Sequence, residues 1–153
     1  MLRVNKKMEY GILALAFLAA QPGRTASVRE ISAACRIPEA LLSKVMQAMK
    51  NAGFVTVTHG NQGGYRLFRP LEEINLLNVT EILVGPVQVA ECLEPGNDNC
   101  PVGAACTLMA PMHQLNQKIM QLFAATTVHS LVESNTARAD ALVPETANRR
   151  MTE

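Results

Sequence analysis

Apolar residues recur along this chain at helical and strand periods, and polar punctuation divides them into elements. The run KKMEYGILALAFLAA predicts a first helix over about Lys6 to Ala20, stopped by Gln21-Pro22-Gly23. In TASVREISAAC, Ser27 stands three residues before Glu30, the spacing of a capping box. Val28, Ile31 and Ala34 then share one face of a short helix that stops near Cys35-Arg36. RIPEALLSKVMQAMKNAGF opens a third helix, with Pro38 near its first turn and Asn51–Gly53 at its close. Its inward stripe is Leu42, Val45, Met46 and Met49, which leaves Ala40, Ser43, Lys44, Gln47 and Lys50 outward.

The period then changes from helical to alternating. FVTVTHGNQGGYRLFR reads as strand, Gly-rich turn and strand, a β-hairpin directly behind a helix-turn-helix. That order is a winged helix. The hairpin tip carries His59, Asn61, Gln62 and Arg66, all polar or basic. After Pro70, INLLNVTEILVG suggests a short extended piece and a helix packed back on the domain. Further on, Leu108, Met112, Leu115, Ile119 and Leu122 are spaced four, three, four and three, an a/d seam widened by Met120 and Phe123. The expected fold class is mainly α with a small β-hairpin wing. It divides into a DNA-binding domain over 1–84, a Cys-rich loop over 85–105, a dimerisation helix region over 106–133 and a flexible tail over 134–153.

Charge sharpens this picture. The chain has 153 residues and a net charge of only +1, but residues 1–70 hold ten Lys/Arg against three acids, and residues 71–153 hold four against ten. A basic front half suited to a polyanion precedes an acidic back half. The start MLRVNKK before GILALAFLAA resembles a secretory leader. Ten apolar residues cannot span a bilayer, and a buried first helix is the preferred reading, which implies a cytoplasmic chain without membrane association.

Three of the four cysteines, Cys92, Cys100 and Cys106, fall in ECLEPGNDNCPVGAACTLMAPMH, and the Gly, Pro, Asn and Asp between them make the segment pliable. Structural zinc usually takes four ligands, paired two to four residues apart, and a disulfide would leave one thiol over. Three cysteinates with one different ligand suit an iron–sulfur cluster, so the thiols favour a cluster while leaving zinc open. A winged-helix interaction module holding structural zinc is the alternative. No Cys–His–Asn arrangement supports an enzyme, so no catalytic residues are expected. Cys35, inside the helix-turn-helix, reads as a core residue.

The succession of KKMEYGILALAFLA, the helix-turn-helix, HGNQGGYRL on the wing, the three-Cys loop and a long helix closely resembles the IscR/NsrR/RirA family of winged-helix, iron–sulfur-dependent transcriptional regulators. The resemblance covers about residues 1–133. It implies a cytoplasmic homodimer joined through the long helix, one cluster per subunit, and repressor-type DNA binding switched by that cluster. Cys92, Cys100 and Cys106 match the family's cluster cysteines, with [4Fe-4S] favoured over [2Fe-2S]. The histidine that ligates in [2Fe-2S] members is replaced by Met109, and His113 stands about 10 Å further along a helix. Glu9 matches the carboxylate that completes the site from the partner in the nitric-oxide-sensing branch, and is preferred to His113.

For DNA, the outward face of the recognition helix offers Glu39, Ala40, Ser43, Lys44 and Gln47 to base edges. The family's cytosine-reading glutamate falls at Ser43, and its wing arginine at His59. Arg36, Arg66, Lys50 and Lys7 suit phosphates, and Gln62 adds a polar wing contact. A two-fold dimer implies a pseudo-palindromic double-stranded operator.

Overall fold

A computed structural model describes residues 5–60, 63–93, 96, 100–102 and 105–140, with side chains described to residue 134. The first helix, α1 (Lys6–Ala19), starts where the Asn5 side chain accepts a hydrogen bond from the Lys7 amide at 2.9 Å. It buries Met8, Gly11, Ala14, Leu15 and Leu18, one helical face, and leaves Leu13 of the same apolar run exposed. Two shorter helices follow, α2 (Val28–Cys35) and α3 (Glu39–Asn51), and both pack against α1. Ile31 from α2 and Leu42, Val45, Met46 and Met49 from α3 are buried beneath it.

The Phe54 amide bonds the Met49 carbonyl at 2.9 Å as the chain leaves α3 and enters strand β1 (Val55–Thr58). Strand β2 (Gly64–Leu67) pairs antiparallel with it in the register Val55–Leu67 to Thr58–Gly64. The 3-10 turn Leu71–Glu73 brings Leu71 and Ile74 into the core before helix α4 (Leu76–Leu83), which Asn75 caps through its side chain. Among the described residues Thr80 is the one buried polar residue, and its hydroxyl donates to the Leu76 carbonyl at 2.7 Å. A second 3-10 turn, Glu91–Leu93, lies on the way to helix α5 (Met109–Ala125).

The helix region expected over 106–133 is two helices. Helix α5 ends at Thr126, which takes an extended conformation, and α6 (Val128–Asp140) begins two residues later. The break has a tertiary cause: the Thr126 carbonyl accepts from the Leu76 amide at 2.9 Å, and the Val128 amide donates to Ile74 at 2.8 Å. Thr127 pairs with Asn75 in a β-bridge, and Val128 is fully buried. α6 therefore docks on the 3-10 turn and on α1, and it runs to Asp140, into the segment that the sequence reads as a tail. Among the described residues no helix is long and apolar enough to cross a membrane.

Candidate DNA-reading face and cysteine loop

The turn between α2 and α3 is built by three backbone-directed contacts. Arg36 takes the left-handed conformation (φ 55°), and its amide bonds the Ser32 carbonyl, as does the Ile37 amide at 3.1 Å. The Ser32 hydroxyl returns a 2.6 Å bond to the Ile37 carbonyl, and Ile37 is buried. At the other end of α2 the full capping box forms between Ser27 and Glu30. The Ser27 amide, foremost among its partners, holds the Glu30 carboxyl below the usual carboxylate range.

This frame exposes one face of α3. Glu39, Ala40, Ser43, Lys44, Gln47 and Lys50 are all exposed there, with Arg36 beside them. The Ser43 hydroxyl donates to the Glu39 carbonyl at 2.9 Å, and Gln47 Nε2 donates to Asn51 Oδ1 at 3.2 Å. Each contact uses a donor, so both side chains keep an oxygen acceptor on the exposed face that also carries Lys44. Acceptors suit the exocyclic amines of adenine and cytosine, and a lysine suits guanine or phosphate. Leu41, 44% exposed, is the residue of this face that the outward-polar pattern passes over. It lines a cleft of about 220 Å³ with Lys7, Lys44 and Ile82.

The wing is fixed to the start of α2 through backbone. Ala26, one residue before the α2 cap, exchanges two 2.8 Å hydrogen bonds with Tyr65 and so adds a third strand position beside β2. A Cβ on Gly64 would stand 2.6 Å from the Ala26 carbonyl carbon, and one on Gly63 would meet the Thr58 and Gly60 carbonyl oxygens. The paired glycines of GGY are thus sites of close backbone approach. His59 and Arg66 are exposed on the hairpin, and Arg66 reaches the edge of a groove of about 420 Å³ that it shares with Arg24 and His129. Gln62 and Asn61 lie outside the described residues.

Cys92 sits in the Glu91–Leu93 turn, Cys100 further along the loop, and Cys106 three residues before α5; all are half-buried and none forms a disulfide. Soft thiols of this kind fit iron or zinc as donors. Among the described residues no group of three or more His, Cys, Asp or Glu side chains is gathered to hold a metal, so the three thiols are not brought together as a ligand set. Residues 94–95, 97–99 and 103–104, which link them, lie outside the description. Glu9 lies in the first turn of α1, where its carboxylate accepts from Lys6 Nζ at 2.6 Å and raises the Lys6 pKa.

Met109 opens α5 and is exposed, as is His113. His129 stands between Glu72 at 3.2 Å and Glu133, four residues on in α6, at 3.1 Å. Cys35 is half-buried with its sulfur 3.9 Å from the Leu13 carbonyl, and burial pushes its thiol up. Two residues that no sequence signal marks hold the loop's first arm. The Val89 amide donates to Asn116 Oδ1 at 3.1 Å, and Gln88 Nε2 donates to the Leu93 carbonyl at 3.2 Å. α5 itself has no buried residue, and Leu108, Leu115 and Leu122 of its seam are 63%, 44% and 63% exposed.

Comparison with known proteins agrees with this architecture. Residues 4–134 match the Rrf2 family, described as iron-dependent transcriptional regulators. Protein aau3 of Rhizobium meliloti (strain 1021) is 30% identical over 133 residues, covering 87% of this chain and 86% of the relative. The HTH-type transcriptional regulator NsrR of Shouchella clausii (strain KSM-K16) is 27% identical over 132 residues, covering 86% of this chain and 89% of that one. Among solved structures, CymR (YrzC), the global cysteine regulator of B. subtilis, superposes with a TM-score of 0.67 at 23% identity, over 88% of this chain and 98% of that one. T. potens IscR does so with a TM-score of 0.64 at 20% identity, over 88% of each chain. Those two likenesses establish the winged-helix fold. With a family match that spans nearly all of the described residues, the chain belongs to the Rrf2 family of transcriptional regulators.

Proposed function

We propose that this regulator is a homodimeric repressor that binds a pseudo-palindromic double-stranded operator, with its affinity set by an iron–sulfur cluster. The observation that carries the DNA reading is the exposed α3 face with Ser43, Lys44 and Gln47, on a helix-turn-helix whose α2 end is joined to the wing by the Ala26–Tyr65 bridge. In this reading Glu39, Ala40, Ser43, Lys44 and Gln47 address base edges. Arg36, Lys7, Lys50 and Arg66 meet phosphates, and His59 and Gln62 approach from the wing. The uncovered apolar seam of α5 supports a dimer formed through the helix region 106–133, with 1–84 as the DNA-binding unit.

Cys92, Cys100 and Cys106 would hold the cluster, [4Fe-4S] or [2Fe-2S], with Glu9 of the partner subunit as the fourth ligand. Three half-buried thiols, none in a disulfide, in one loop between α4 and α5 support this, together with the family's iron dependence. Such a cluster supplies an iron centre sensitive to iron supply, oxidants or nitric oxide. The protein's own part is to hold the thiols in a loop that joins the DNA-reading unit to α5. A cytoplasmic location accords with thiols kept reduced.

The test is anaerobic. Purified protein is analysed for iron and acid-labile sulfide, and operator binding is compared by gel shift for the loaded protein, the metal-free protein and Cys100→Ala. The loaded form is expected to differ from the other two. Equal binding by all three removes the sensing role, and a colourless anaerobic protein with stoichiometric zinc replaces the cluster with a structural metal.

A further inference from the structure

After α4 the chain has to cross to α5, and it does so along an arm, Pro86–Val89, laid over a crevice lined by Met8, Thr80, Ile119 and Phe123. Apolar contact alone would let such an arm slide. One polar contact fixes its register on α5: the half-buried Val89 amide donates to Asn116 Oδ1 at 3.1 Å. The other end of that side chain, Nδ2, faces Met120 Sδ at 3.4 Å, which sets the oxygen toward Val89. Cys92 is three residues beyond Val89, and Gln88 Nε2 folds the arm onto itself through the Leu93 carbonyl at 3.2 Å. Gln88 therefore makes residues 88–93 one unit, and Asn116 ties that unit to α5. On α5, Asn116 follows Met109 and His113 at intervals of four and three, so the tie lies on the helix face that begins just after Cys106.

We infer that Asn116 is a positioning residue: it latches the Cys92 arm to α5 and makes the placement of Cys92 and the placement of α5 a single mechanical property. The consequence for regulation rests on the proposed sensor reading. A change at Cys92 is delivered to the dimer helix at Asn116, ten residues along the chain from Cys106.

The latch is tested on the metal-free, full-length chain, so failure of the cluster reading leaves its result untouched. Asn116→Leu removes the acceptor but keeps a strong helix former of similar size, and Asn116→Asp keeps the acceptor. The readouts are amide exchange at Val89 and alkylation rate at Cys92, with Cys35 as the internal reference. Asn116→Leu is expected to speed both by about five-fold, the factor that one net hydrogen bond gives, and to leave Cys35 unchanged. Asn116→Asp should stay close to the parent protein. Unchanged Val89 exchange and Cys92 alkylation in Asn116→Leu would overturn the inference. Acceleration of Cys35 in step with Cys92 would overturn it too, because that reports general loosening.

Discussion

Gly64→Ala is the sharpest probe of how the wing is attached. A Cβ there stands 2.6 Å from the carbonyl carbon of Ala26, 2.7 Å from its oxygen and 3.0 Å from its nitrogen. Non-bonded carbons prefer about 3.5–4.0 Å, so the two backbones must part by roughly 1 Å. Nothing flexible can yield, because every atom met is main chain. The separation breaks both 2.8 Å hydrogen bonds between Ala26 and Tyr65. Ala26 is 3% exposed, so water does not readily replace them. Each lost bond costs about 1 kcal/mol, and a buried group left unpaired costs about 1–3 kcal/mol. Alanine recovers about 0.4–1 kcal/mol by restricting the unfolded chain. The net expectation is a loss of about 2–3 kcal/mol, or a midpoint lower by roughly 5–10 °C for a chain of this size. Urea unfolding followed by circular dichroism gives the free energy directly, and operator binding at a temperature where the variant is folded reports the displaced wing. A variant within about 0.5 kcal/mol of the parent, with unchanged affinity, would refute the account of the clamp.

Other expectations follow from the same geometry. Leu42→Ala, at a fully buried position of α3, should lose about 2–5 kcal/mol in the same unfolding measurement. Ser27→Ala removes one half of the capping box and should cost about 1 kcal/mol. The Glu30 carboxyl is held below its ordinary range, so its contribution is present above that range and lost as pH falls through the lowered value. Glu30→Gln should therefore flatten the acid limb of the stability profile, and an unchanged limb would contradict the assignment. Lys44→Ala and Arg66→Ala, measured by fluorescence anisotropy against salt, should each reduce the salt slope by about one where the side chain meets phosphate. An unchanged slope for Lys44→Ala together with relaxed base preference would assign it to guanine instead.

The local elements were legible because their causes are local. Ser27 and Glu30 announce α2, the stripe Leu42–Met49 announces the buried side of α3, and GNQGGY announces a tight hairpin. What escaped the sequence is made by contacts between distant segments. The heptad spacing from Leu108 to Leu122 carries no sign that Thr126 will surrender its carbonyl to Leu76, some fifty residues earlier in the chain. Ala26 is likewise an unremarkable loop residue until β2 lies against it. The cysteines were legible as donors, since thiol chemistry is a property of the residue. Their convergence is a property of the loop's path, and among the described residues that path does not gather them. Asn116 gave no signal because Val89 reaches it from another segment, as Glu72 reaches His129; Glu133, one turn along α6 from His129, was within reach of helical spacing.

The Ala26–Tyr65 bridge also bears on how such a molecule can be switched. It welds the cap of α2 to the wing, so in the proposed DNA reading helix and hairpin are two jaws cut from one piece. The spacing between these jaws is set by peptide geometry and is not adjustable from outside. In the proposed dimer, control then has to act at the handles: on how the α4-to-α5 crossing carries one such unit relative to the other.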